Sequence, residues 1–135
     1  MKRRGINIMA IAFCLYLVSV ALLCFLHGDE LPRVTGTWFG LPADKVAHMA
    51  MFSPFIPLSY FSFRNENRGF IMSMILLSVL AAVGLGTAYL TELIQDKLSY
   101  RSYDIKDFLS DCTGLAAGYI LVTTWLIIKH AIIRR

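Results

Sequence analysis

Ile6 to Leu26 reads INIMAIAFCLYLVSVALLCFL, 21 residues without a charge. At about 1.5 Å of rise per residue such a run covers about 30 Å of hydrocarbon, so the pattern predicts a first membrane-spanning helix over 6–26. The run exceeds a signal-peptide core, and Phe25, Leu26 and His27 offer no small-residue cleavage pattern, so the helix is expected to stay as an anchor. A second span is expected over 44–63, kinked where Pro54 and Pro57 remove backbone donors. The third is expected over 69–95 and the fourth over 105–128, each long enough to cross with some tilt. Residues 28–43 contain Pro32, Trp38, Phe39 and Pro42 and read as a loop, with room for a short interfacial helix and with aromatics suited to a bilayer surface.

Composition agrees with this pattern. Hydrophobic residues make up 57% of the 135 positions and charged residues 16%, and the mean hydropathy is +0.62, outside the usual soluble range. The expected architecture is therefore all-α: one polytopic membrane domain over 1–135, a bundle of four transmembrane helices with no separate soluble part. The net charge of +4 changes little, because the basic residues form no stripe with interleaved aromatics and so do not point to nucleic acid. They act instead as a topology signal. Lys2, Arg3, Arg4, Arg64, Arg68, Lys129, Arg134 and Arg135 fall on one side of the four spans, against Arg33, Lys45, Lys97, Arg101 and Lys106 on the other, which places both termini in the cytoplasm. Glu66 is the one acid expected inside; the other eight fall outside. Cys14, Cys24 and Cys112 lie in apolar runs without metal-ligand spacing and read as buried thiols.

The outer ends hold the candidate chemistry. Counting back from Arg64, His48 lies about 24 Å along its helix; counting back from Lys129, Asp111 lies about 27 Å along its own. Glu92 lies about 34 Å beyond Gly69 before tilt, so three helices carry ionisable groups to one level. Asp44 and His48, four apart, share a face. On the fourth helix Asp104, Asp107, Asp111, Gly114 and Gly118 fall within about 80°, acidic above and backbone-thin below; on the third, Gly84, Ala88, Glu92 and Gln95 form a similar stripe. The simplest packing sets these two stripes face to face, with Gly114 and Gly118 as the helix-packing positions.

Each group has a plainer use. Lys97, Lys106, Asp96, Asp29 and Glu30 suit weak, wet ion pairs, and Lys45 and Arg101 suit pairs that tie helix ends together. Asp44 and Asp104 stand at helix starts, where N-capping competes with function. His48, Glu92, Asp107 and Asp111 are harder to explain this way, because ionisable groups at the membrane edge are costly and functional by default.

The ordered set Asp44-Lys45-x-x-His48, Glu92-x-x-Gln95 and Arg101-x-x-Asp104-x-x-Asp107-x-x-x-Asp111-x-x-Gly114-x-x-x-Gly118 resembles the VanZ-like family of small bacterial membrane proteins. The likeness spans nearly the whole chain, and Asp111 departs from the asparagine expected there. It implies a four-helix fold in the bacterial inner membrane, a polar cluster facing the cell-wall side, and a link to reduced susceptibility to teicoplanin-type glycopeptides. It implies no reaction.

Two functions stay open on these residues. One is a hydrolase or transferase acting on a lipid-linked or wall-derived substrate, with His48 as base or metal ligand and Glu92, Asp107 and Asp111 as catalytic carboxylates. Asp44, Lys45, Gln95, Arg101 and Asp104 would then line the substrate, Arg101 or Lys45 answering an anionic group. A divalent metal fits the donor types, although the spacing is diagnostic of none. The other is an accessory protein that binds an envelope precursor or a glycopeptide without changing it. A cluster serving structure alone is the plainest alternative, and a transporter fits four helices without an internal repeat poorly.

Overall fold

The computed structural model describes residues 7–25, 36–98 and 104–133. Its elements are α1 (Ile8–Phe25), β1 (Thr37–Trp38), β2 (Leu41–Pro42), α2 (Ala43–Phe52), α3 (Phe55–Ser62), α4 (Phe70–Asp96) and α5 (Ile105–Ile133). Helices occupy 82% of the described residues, which makes the chain mostly α-helical. Three of them, α1, α4 and α5, are long and apolar enough to cross a membrane. Their outward faces carry exposed Leu15, Val18, Ile71, Ile75, Ile120 and Leu121, as contact with lipid requires.

Hydrogen bonds fix which helix ends meet. At one end Asn7 Nδ2 donates to the carbonyl of Ser62, and the Phe70 ring stacks on His130 with centroids 4.7 Å apart. At the other, Gln95 Nε2 donates to the Cys24 carbonyl at 3.1 Å and the Asp104 N–H points to Glu92 Oε2 at 3.4 Å. The start of α1 and the end of α3 thus share one end of the bundle with the start of α4 and the end of α5.

The segment expected as one kinked span is two helices. Pro54 cannot donate to the Ala50 carbonyl, and the hydroxyl of Ser53 donates there instead at 3.1 Å. Met51, in the last turn of α2, receives the Tyr16 hydroxyl from α1 at 2.8 Å. Pro57 likewise has no N–H for the Ser53 carbonyl. Two missing donors three residues apart end α2 and start α3 afresh, and the Ala50 and Met51 carbonyls take hydroxyl donors inside the bundle instead, the kind of repair that a membrane interior favours.

That break decides the packing of α5 and corrects the face-to-face expectation. Gly114 and Gly118 do not meet the α4 stripe; they face the α2–α3 junction. A Cβ added at Gly118 would lie 2.5 Å from the Ser53 carbonyl oxygen and 3.0 Å from the Pro57 ring. The α4 stripe meets side chains instead, since a Cβ at Gly84 would lie 2.8 Å from Leu115 and 3.1 Å from Phe55. The core consequently forms around α3, where Phe55, Ile56 and Tyr60 are buried against Leu77, Leu115 and Val122.

Of the connection expected as a loop over 28–43, residues 28–35 lie outside the described residues, and the described part, 36–42, is a hairpin. Thr37 pairs with Pro42 and Trp38 with Leu41, leaving Phe39 and Gly40 as a two-residue turn with φ of 54° and 80°. Positive φ at both positions is the turn whose twist matches a hairpin, and Phe39 is an uncommon occupant. The Ala43 N–H closes it on the Gly36 carbonyl at 3.0 Å, which orients the first turn of α2.

Candidate functional site

The hairpin delivers Asp44, Lys45 and His48 to the end of the bundle where α4 stops and α5 begins. Asp44 sits in the first turn of α2 but is not its N-cap residue, a place that Pro42 holds; its carboxylate lies 3.1 Å from Lys45 Nζ. N-capping therefore does not explain Asp44. It does explain part of Asp104, whose Oδ1 accepts the Lys106 N–H at 2.8 Å at the start of α5. The other oxygen of Asp104 takes Lys45 Nζ at 2.7 Å. The Lys45 ammonium, helped by the Lys106 N–H, holds the Asp104 carboxyl below its usual range.

Asp107, one turn further into α5, bridges two layers. Its Oδ1 pairs with Lys45 Nζ, and its Oδ2 stands 3.7 Å from His48 Nε2. On the opposite edge of the imidazole, His48 Nδ1 lies 2.9 Å from Asp111 Oδ1. The ring is thus held between two carboxylates one helical turn apart on α5.

Glu92 arrives from α4 to complete the inner layer. Donor atoms of His48, Glu92 and Asp111 all lie within 4.8 Å of one another, and all three residues are buried. Glu92 is 1% exposed and Asp111 0%, yet Glu92 Oε1 and Asp111 Oδ2 have no hydrogen-bond partner among the described residues. Buried polar atoms are nearly always paired, so two orphaned carboxylate oxygens in one small space are unusual.

The remaining candidates divide. Gln95 is buried but spends its amide on the Cys24 carbonyl, tying α4 to α1 and not joining the histidine cluster. Gly114 and Gly118 let α2 and α5 approach closely enough for His48 to reach Asp111. Arg101 lies outside the described residues. Lys45, considered as an anion-binding group, already meets Asp44, Asp104 and Asp107. Among the described residues of the cluster, five carboxylates face one lysine and one imidazole, a balance that suits a cation or a shared proton better than an anion.

Two contributors to the site escape sequence reasoning. Tyr16 and Ser53 repair the break that sets the His48 helix against α5; their signals are a lone phenol in an apolar span and a serine preceding a proline. At the opposite end, Arg64 and Lys129 each lie 5.4 Å from the Trp125 ring centre, and Glu66 accepts from Lys129 at 3.3 Å. The Trp125-x-x-x-Lys129 spacing is the visible sign of that interfacial anchor. No family model, curated protein or solved structure matches this chain.

Proposed function

We propose that this chain is a VanZ-like protein of the bacterial inner membrane that processes a lipid-linked or wall-derived envelope substrate at the outer membrane face. α2 and α3 together make the second of four spans, and both termini lie in the cytoplasm. The motif order quoted above and the excess of Lys and Arg at the Arg64 end support the family and the orientation. One observation carries the functional reading: His48 is clasped between Asp107 and Asp111 beside a buried Glu92 with an unpartnered oxygen.

Such an arrangement suits proton transfer. Asp111 orients the imidazole through Nδ1, which leaves Nε2 to take a proton from a hydroxyl or water nucleophile. Glu92 supplies the second proton-handling group, and Asp107 steadies the imidazolium that forms.

The surplus of carboxylates favours a second reading, a non-catalytic site for a cationic part of an envelope ligand or glycopeptide. Incubating an envelope lipid extract with purified protein and scanning it by mass spectrometry separates the two. The enzyme predicts a species consumed by wild type and untouched by a His48→Ala/Glu92→Gln double variant. Unchanged material that copurifies only with wild type would favour binding, and no difference between the proteins would reject both.

A further inference from the structure

We infer that His48, Glu92 and Asp111 form a binding site for one divalent cation of intermediate softness, zinc or manganese. The inference deepens the proposed function, since it rests on the same cluster being the working site and names the cofactor that the cluster would hold; with the ion bound, His48 serves as a ligand through Nδ1 in place of its role as base.

Geometry carries the first step. Two donors at right angles around an ion with bonds of about 2.1 Å stand about 3.0 Å apart, and two donors across it about 4.2 Å. His48 Nδ1 and Asp111 Oδ1 are 2.9 Å apart, and the full trio lies within 4.8 Å. Closing the trio around one ion needs only a small inward movement.

Unspent bonding capacity carries the second. Glu92 Oε1 and Asp111 Oδ2 are buried without partners, and a cation between these carboxylates would use it. Two carboxylates and a neutral imidazole around a dication also give a locally neutral unit, whereas two buried carboxylates alone repel. No arginine or lysine reaches these oxygens among the described residues, because Lys45 is engaged one layer further out.

The surroundings point the same way. If Nδ1 binds the ion, the nearest carboxylate oxygen to Nε2–H among the described residues is Asp107 Oδ2, 3.7 Å away, so a shift of about 0.5–1 Å would complete a carboxylate–histidine–metal relay of the kind that fixes ligand orientation in many sites. One imidazole and two carboxylates favour zinc or manganese over the all-oxygen shells of magnesium and calcium, and no thiolate takes part. Three protein ligands leave a coordination position for water or substrate, the arrangement of catalytic rather than structural zinc.

The test uses the full chain in detergent, stripped with a chelator and dialysed against zinc or manganese, with bound metal counted by mass spectrometry and affinity read by calorimetry. About one ion per chain is expected in wild type and in a Glu66→Gln control at the opposite end. Glu92→Gln and Asp111→Asn, each nearly unchanged in shape, should weaken binding by more than about 100-fold, beyond the range of second-shell losses. Wild type that retains neither ion, or variants that bind as wild type does, would overturn the site. Substrate conversion measured on the same samples separates the two proposals. An ion bound without conversion removes the enzyme and leaves the site, and conversion by ion-free protein removes the site and leaves the enzyme.

Discussion

Gly114→Ala should unfold the bundle at a markedly lower temperature than wild type, although it adds one methyl group to a helix. The new Cβ falls on the carbonyl oxygen of Met49 and lies 3.0 Å from the amide nitrogen of Ser53, so both obstacles are backbone. A side chain can rotate away from an added methyl; the last turn of α2 can yield only by moving as a whole. Overpacking commonly costs about 1–3 kcal/mol, and the lack of any flexible neighbour puts this substitution at or above the upper end. Separation of α2 from α5 also stretches the His48–Asp111 contact, so function should fall with stability. Gly86→Ala on α4 is the control, because nothing lies within 4 Å of its added Cβ. That change should be neutral or raise stability by about 0.5–1 kcal/mol through helix propensity. Thermal unfolding in detergent followed by circular dichroism reads both; a Gly114→Ala protein as stable as wild type would refute the close approach.

His48→Ala should be costly for a different reason. It removes the partner of Asp111 Oδ1 from a carboxylate whose other oxygen is already unpaired, close to a second buried carboxylate with an unpaired oxygen. Breaking a buried pair by deleting one member typically costs about 3–5 kcal/mol, because the remaining charge is left without compensation. Here the loss should lie towards that upper value, unless protonation of a carboxyl relieves it. The expected mark is a stability deficit at neutral pH that shrinks as the solution is acidified, since protonating Asp111 or Glu92 removes the uncompensated charge. A deficit independent of pH would mean that His48 contributes packing alone.

How much of this was legible in the sequence follows from what one-dimensional patterns can encode. The three long apolar helices could be read from run length, and arithmetic at 1.5 Å per residue carried His48, Glu92 and Asp111 to one level, because α4 and α5 run uninterrupted. The faces were legible too, since Asp107 and Asp111 lie on the side of α5 that bears Gly114. Which helix fills that face was not. It depends on Pro54 and Pro57 splitting the second segment and on Ser53 and Tyr16 repairing the split, a tertiary event that periodicity does not record. Gln95 shares a helical stripe with Glu92, yet it stands nearly one turn closer to the end of α4 and its amide meets the Cys24 carbonyl on α1, so a shared stripe did not mean a shared site. The hairpin was hidden because its turn is Phe39-Gly40 and not the Asn-Gly that usually announces one.

Glu92→Gln tests most directly whether the buried cluster exists for function. Among the described residues the one hydrogen bond to the Glu92 carboxylate is the 3.4 Å contact from the Asp104 N–H, so neutralising it gives up little and removes a buried charge. Thermal stability in detergent and activity on an envelope extract should be measured on the same preparation. A working site predicts stability equal to or above wild type together with loss of activity. Stability and activity falling in parallel would show that Glu92 holds the bundle together, and would contradict a working site at this end of the molecule.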